Sequence, residues 1–210
     1  MEINVFHKLF LIFFIFLICS SSYADDADSK LLIYGDSISA GYGMAYNKQW
    51  SLILEDTLEK NNIGVQVINK SISGETTGGG LVRFERILQE FKPTYILLEL
   101  GGNDALRGYP PSTVKRNLEK MIIIAQENSA ETLLMQIKIP PNYGRKYQER
   151  FESIYPDIAS KTSAKLIPFM LDDIALNADL MLRDGIHPNE KAQSLIADIV
   201  YRSLLPYLKN

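Results

Sequence analysis

Cysteine is almost missing from this 210-residue chain, which has Cys19 alone. An intrachain disulfide and a cysteine zinc cluster are both excluded. Histidine is nearly as scarce, with only His7 and His187, and Trp50 is the single tryptophan. Charge of one sign is lacking too: 22 basic and 25 acidic side chains leave a formal net charge of −3, and no Lys/Arg cluster stands out. Nucleic acid is therefore not an expected partner. Long hydrophobic runs are absent apart from Leu9 to Ile18, a ten-residue stretch. Ten apolar residues are too few to cross a hydrocarbon core of ~30 Å.

That run follows Lys8 and precedes "CSSSYADD", where Ser22 and Ala24 form a small-x-small site before Asp25. The pattern is that of a secretory signal peptide, with cleavage predicted after Ala24. Cys19 does not fit a lipoprotein signal, because the bulky Phe16, Leu17 and Ile18 stand where small residues are needed. Residues 1–24 are thus expected to be a cleaved leader and residues 25–210 a single domain, periplasmic or secreted, monomeric and without a stable membrane anchor. Cleavage would remove the only cysteine and His7. The fold must then rest on packing alone, and His187 is the one imidazole left for chemistry near neutral pH.

Short apolar runs alternate with amphipathic ones from Lys30 onward. "LLIYG" (31–35), "VQVIN" (65–69), "YILLELG" (95–101), "TLLMQI" (132–137) and a weaker "KLIPF" (165–169) read as strands apolar on both faces. Such strands belong to a parallel sheet covered on both sides. Between them, 50–62, 81–91 and 112–128 carry helical spacing, with stops expected at Gly64 and Pro93 and an N-cap at Ser112. A last helix carries Ala192, Leu195, Ile196, Ile199 and Val200. The alternation predicts a three-layer α/β/α sandwich with a flavodoxin-like, five-stranded parallel sheet and right-handed crossovers.

Ligands of such sheets bind beyond the carboxyl ends of the strands. The segments there are "GDSISAGYG", "KSISGETTGGG", "GGNDALRGYPP" and "KIPPNYG", and the fifth strand leads on to "RDGIHP". Ser37 follows the first strand in a turn that can present its hydroxyl and its own N–H. His187 precedes Pro188, which holds it extended, and Asp184 lies three residues upstream, where it can hold the ring in one tautomer. Gly74 offers an unobstructed N–H and Asn103 a side-chain amide, so with the Ser37 N–H they could form an oxyanion hole. Each residue alone also fits a plainer role: a turn serine, a capped surface histidine, a turn glycine, a loop asparagine. Their convergence on one sheet edge favours nucleophilic catalysis. Asp36 and Asp104, inside the same motifs, are read as turn and loop acceptors.

"GDSIS", the Gly74 block, "GGND" and "DGIHP" occur in the order and spacing of the four blocks of the SGNH (GDSL-type) hydrolase family, which this chain resembles. Further stretches, "LELGGNDALRG" and "LLMQIKIPPNYGRKY", are most similar to its bacterial periplasmic branch of multifunctional thioesterases and lysophospholipases. The resemblance implies Ser37 as nucleophile, His187 as base, Asp184 as its orienting partner, and Ser37, Gly74 and Asn103 as the oxyanion hole. It also implies acyl esters and thioesters, lysophospholipids among them, as substrates, with no cofactor and no metal. Two departures are mild: Ile38 replaces the usual leucine, and Gly43 stands where a larger residue is common.

Leu106 and Tyr109 beside Asn103, with Ile139 and Tyr143 after the fourth strand, are expected to bind the acyl chain, although Leu106 and Tyr109 equally suit the anchoring of their own loop. Two rival readings keep the fold: an esterase for acetylated sugars, or a non-catalytic periplasmic binding module. For the sugar reading Trp50 would be the aromatic platform, but it begins a helix and is expected in the core. A receiver would need paired acids after the first strand, where Asp36 stands alone. "GETTGGG" lacks the Lys-Ser/Thr of a P-loop, no G-x-G-x-x-G follows the first strand, and G-x-S-x-G is absent.

Overall fold

The computed structural model describes residues 29–208. The predicted leader falls outside them. Five parallel strands, β1 (Ser29–Gly35), β2 (Val65–Asn69), β3 (Tyr95–Glu99), β4 (Glu131–Met135) and β5 (Lys165–Ile167), form one sheet in the order β2-β1-β3-β4-β5. This is the flavodoxin-like order, whose direction reverses between β1 and β3. Among the described residues, seven α-helices complete the frame: α1 (Trp50–Lys60), α2 (Thr77–Phe91), α3 (Gly102–Leu106), α4 (Pro111–Glu127), α5 (Arg145–Glu152), α6 (Ile154–Lys161) and α7 (Gln193–Leu204). α1 packs against α7, while α2, α4 and α6 pack in a row.

Burial follows the apolar pattern. Leu31 to Tyr34 of β1 and Ile96 to Leu98 of β3 are all fully buried, so these strands are covered on both faces. Trp50, Leu54 and Leu58 of α1 meet the sheet from one side with Ile196 and Val200 of α7; Phe84, Leu118, Ile122, Phe151 and Tyr155 belong to the same core. Each large apolar side chain so buried contributes ~1.5–3 kcal/mol, which lets packing alone hold the domain. β5 is short and partly exposed, as its weaker pattern suggests.

Helix boundaries differ from expectation where glycine and proline misdirect. α2 begins at Thr77, four residues before its apolar run, because Thr76 caps it by accepting the Gly79 N–H at 3.2 Å. Gly80 lies inside this first turn since a Cβ there would come within 2.7 Å of Leu100. α4 starts at Pro111, with Pro110 rather than Ser112 as N-cap; a proline at the first helical position loses no hydrogen bond. α1 ends at Lys60, ahead of Gly64, and Asn62 takes the left-handed turn at φ 57°. The helices α5 and α6, eight residues each, are not foreseen from sequence. Pro156 obscures the second, yet as its third residue it sits in the first turn, where no helical N–H bond is required.

Candidate active site

Register sets the site. β1 and β3 pair so that Gly35 lies opposite Glu99. The turn carrying Ser37 therefore leaves the sheet beside the segment carrying Asn103, at the switch point. Ala40 N–H donates to Asp36 O at 2.8 Å and Tyr42 N–H to Ser37 O at 3.0 Å, so the chain coils at once into helical turns and leaves Ser37 at their start. Asp36 is buried and accepts the Ile38 N–H at 3.1 Å. Trp50, in the core as expected, donates its indole N–H to Ile38 O at 3.1 Å.

His187 approaches from the far end of the chain. Its loop is closed by a bridge between Met181 and Pro188, with the Leu182 N–H donating to His187 O at 2.7 Å. Inside it, Asp184 Oδ1 accepts the Ile186 and His187 N–H groups at 2.9 and 3.0 Å, a turn that Gly185 completes at φ 68°. Asp184 Oδ2 is thereby aimed at His187 Nδ1, 2.8 Å away, and Nε2 lies 2.8 Å from Ser37 Oγ. Tyr42 packs on the imidazole, ring centroids 4.4 Å apart. Burial acts to raise the Asp184 pKa, but the two N–H groups and the imidazole outweigh it and hold the carboxyl at about 2. Asp184 is thus a carboxylate throughout the neutral range.

Asn103 is in the first turn of α3. Its Nδ2 donates to Asp36 Oδ2 at 3.0 Å, which fixes the amide plane and leaves a second amide hydrogen. Gly101 starts the helix at φ 121°, where a Cβ would overlap Tyr155 Oη. Gly74 adopts φ 80° on a loop tied down from several sides. Arg107 Nη2 donates to Gly74 O at 3.3 Å, Glu75 and Arg83 pair at 2.7 Å with little exposure, and Asp104 accepts both the Thr77 N–H and its hydroxyl, at 2.8 and 2.7 Å. Asp104 thus links the Gly74 and Asn103 segments, the structural role expected for it. Neither the Ser37 nor the Gly74 N–H has an acceptor among the described residues.

A groove of about 540 Å³ runs from Ser37, Asn103 and His187 between the loops that follow β3, β4 and β5. Its walls are mainly apolar, with Leu106, Ile139, Phe169, Leu171, Met181 and Ile186 among them. Such volume and lining suit a flexible apolar ligand. Tyr109 and Tyr143 are not among its lining residues: Tyr143 Oη donates to Leu106 O at 3.2 Å, and Tyr147 Oη to Tyr109 O at 2.7 Å, so the two tyrosine hydroxyls tie down the loop that bears Leu106. Gly43 has φ 76°, a conformation that favours glycine.

Sequence reasoning missed Glu99. It closes β3, is 2% exposed and lines the same groove. Its Oε2 accepts the Ser39 hydroxyl at 2.7 Å and the Asp36 N–H at 3.3 Å. Burial first, and the neighbouring Asp36 second, push its carboxyl well above the ordinary range. A lone acid ending an otherwise apolar strand, "YILLE", was the available signal.

Fold and site together define an α/β hydrolytic enzyme of the serine type, built on a low-profile turn rather than a strand-to-helix elbow. The chain belongs to the GDSL-like lipase/acylhydrolase family, which matches residues 33–195, and it is an SGNH-type serine esterase. It is 44% identical to an arylesterase of Vibrio mimicus, over 89% of this chain and 94% of that one. It is 41% identical to thioesterase 1/protease 1/lysophospholipase L1 of Escherichia coli K12, over 94% and 93%. In structure it is similar to the psychrotrophic esterase EstA from Pseudoalteromonas sp., described as inhibited by monoethylphosphonate, with a TM-score of 0.84 and 43% identity over 87% of this chain and 100% of that one.

Proposed function

We propose that the chain hydrolyses acyl esters and thioesters through an acyl-enzyme on Ser37. The observation that carries this reading is the continuous contact from Asp184 through His187 to Ser37 at 2.8 Å per step. With Nδ1–H donating to the carboxylate, Nε2 is the basic nitrogen and faces the hydroxyl. Ser37 Oγ attacks the carbonyl carbon as its proton passes to His187 Nε2. The oxyanion is taken up by the Ser37 and Gly74 N–H groups and the Asn103 amide, donors that hold their places before the charge develops. Collapse breaks the bond to the leaving oxygen or sulfur, which receives the proton from His187. Water, deprotonated by His187, then attacks the acyl-Ser37 carbonyl; the acid leaves and the proton returns to Ser37 Oγ.

The apolar groove, with Leu106 and Ile139 in its wall, supports medium to long acyl chains, in line with the thioesterase and lysophospholipase names of the relatives. An acetylated sugar fits less well, since Trp50 is buried and offers no stacking platform. The leader read at residues 1–24 supports export and cleavage after Ala24; that residues 25–210 act as a monomer is part of the same proposal. Among the described residues no helix is long and apolar enough to cross a membrane.

Hydrolysis of p-nitrophenyl esters and acyl-CoAs of graded chain length tests the reading, with Ser37→Ala and His187→Ala alongside. Each variant should lose on the order of 10⁴-fold or more in kcat, and the native enzyme should prefer the longer chains. Activity indifferent to either substitution would overturn the assignment.

A further inference from the structure

We propose that Glu99 is a positioning residue of the nucleophile turn, holding Ser37 in line with His187 as an uncharged hydrogen-bond acceptor. The inference rests on the reading of Ser37 as nucleophile, and adds to it a side chain which that mechanism does not use.

Three observations converge on Glu99. Its location is the first: the other residues of β3 are apolar and buried, and a buried acid at the end of the central strand is unfavourable unless neutral or paired with a cation. No basic side chain forms an ion pair with Glu99 among the described residues, and the carboxyl it meets is that of Asp36. Two adjacent buried acids do not both ionise readily, so one holds its proton. Burial pushes both carboxyls up; the proton is assigned to Glu99, whose strand neighbours are all apolar, while Asp36 accepts from Ile38 and Asn103.

The second observation is the pattern of its contacts. The Asp36 N–H and the Ser39 hydroxyl both converge on Oε2, leaving Oε1 for the proton. These two donors flank Ser37 in the chain, one residue before it and two after, so a single oxygen ties the entry of the turn to its exit. Ser39 is fully buried and Asp36 is 4% exposed, so water does not substitute for that oxygen. Third, the sheet makes room for the carboxyl. Gly35 stands opposite Glu99 in register, and a Cβ at Gly35 would overlap Glu99 Oε2. Glycine at the end of β1 is what admits the acid beneath the turn.

The purpose lies in distance. Ser37 Oγ must stay within reach of Nε2 and also point to the carbonyl carbon, and a misplacement of about 1 Å can cost roughly 10²-fold in rate. Asp36 and Ser39 are held to one rigid strand, so the hydroxyl between them inherits that rigidity.

The test compares Glu99→Gln, Glu99→Met, Ser39→Ala and Ser37→Ala with the native enzyme. Three quantities are read: kcat and KM on a p-nitrophenyl ester, the rate of covalent labelling by a p-nitrophenyl alkylphosphonate, and stability to urea. Glu99→Gln keeps an acceptor oxygen without charge, so kcat and the labelling rate should stay within about 3-fold of native. Glu99→Met keeps the volume and loses the acceptor; kcat and labelling should both fall roughly 10²-fold with KM little changed. A folded Glu99→Met enzyme with native kcat would overturn the proposal. So would a folded Glu99→Gln enzyme as slow as Glu99→Met, since charge would then be what matters. If Glu99→Met does not fold, Ser39→Ala decides in its place: it removes one donor and is expected to lower kcat about 10-fold, with unchanged kcat counting against the role. Persistent labelling and turnover by Ser37→Ala would instead sink the nucleophile reading itself, an outcome visible without any change at Glu99.

Discussion

Replacing Asp36 by Asn should make the protein more resistant to unfolding near neutral pH while slowing it as an enzyme. Asp36 is 4% exposed; Oδ1 accepts the Ile38 N–H and Oδ2 accepts the Asn103 amide. Burial raises its pKa from an ordinary 3.8 to about 6, against the pull of those two donors. Between these values the folded chain binds more protons than the unfolded one, so Asp36 lowers stability as pH rises through the window. At ~1.36 kcal/mol per pH unit the effect amounts to roughly 3 kcal/mol once the window has been crossed. Asparagine carries no charge to desolvate, and the difference in unfolding free energy should therefore move by ~3 kcal/mol in favour of the variant between about pH 4 and pH 7. The same substitution leaves one acceptor where there were two, so either Ile38 or Asn103 faces an amide N–H₂. If Asn103 swings away, the oxyanion loses a donor and kcat should drop on the order of 10²-fold. Urea titrations across pH, with kcat measured in parallel, check both halves. A stability difference that is flat from about pH 4 to pH 7 would refute the electrostatic argument, and native kcat would refute the coupling of Asp36 to Asn103.

Asp184→Asn should retain the fold and lose on the order of 10³–10⁴ in kcat, because an amide can stabilise the wrong tautomer of His187; steady-state kinetics with a folding control reads this. Since Asp184 is held at about 2 against an ordinary 3.8, its contribution to stability is fully present above the ordinary value and is lost as pH falls from there to about 2, so the stability difference between native and this variant should be constant in mild acid and close only below that. Gly101→Ala places a methyl group against Tyr155 Oη at φ 121°, and should cost ~2–4 kcal/mol in a urea titration together with much of the activity, through displacement of α3. Leu106→Trp should shorten the groove: kcat/KM for long acyl esters should fall about 10-fold while acetyl and butyryl esters change little.

What could be read from sequence divides along physical lines. β1, β3 and β4 announce themselves because strands covered on both faces are apolar, and nothing polar interrupts "LLIY" or "YILL"; β2 departs from that expectation, since it lies at the sheet edge with Gln66 exposed and Val67 to Asn69 half-buried. The ends of elements are set by groups whose signal is ambiguous. "GETTGGG" reads as loop by composition, yet the cap at Thr76 and the tight approach of Gly80 to Leu100 make its glycines the first turn of α2. Pro156 argues against a helix unless its place in the first turn is already known. The candidate site was legible for a different reason. Ser37, Gly74, Asn103, Asp184 and His187 lie on the segments that leave the strands at one sheet edge, Asn103 in the first turn of α3 and the others on loops, where the topology of a parallel sheet brings distant segments together whatever their separation in the chain.

Glu99 shows where that reasoning stops. It belongs to a strand, not a loop, and inspection of the strand ends passes over it as the polar close of an apolar run. Its meaning depends on register, which no single strand reveals: only the pairing of Gly35 with Glu99 brings the carboxyl beneath the Ser37 turn. A residue acting through local chemistry leaves a motif, whereas one acting through the pairing of two strands leaves its trace in two places at once, here a glycine in one strand and an acid in the next. The pair can be tested as a pair. Gly35→Ala should slow kcat by displacing Glu99 Oε2, and once Glu99 is already Met, with no acceptor left to displace, the further loss should be smaller than in the native background, a non-additivity that independent sites would not show.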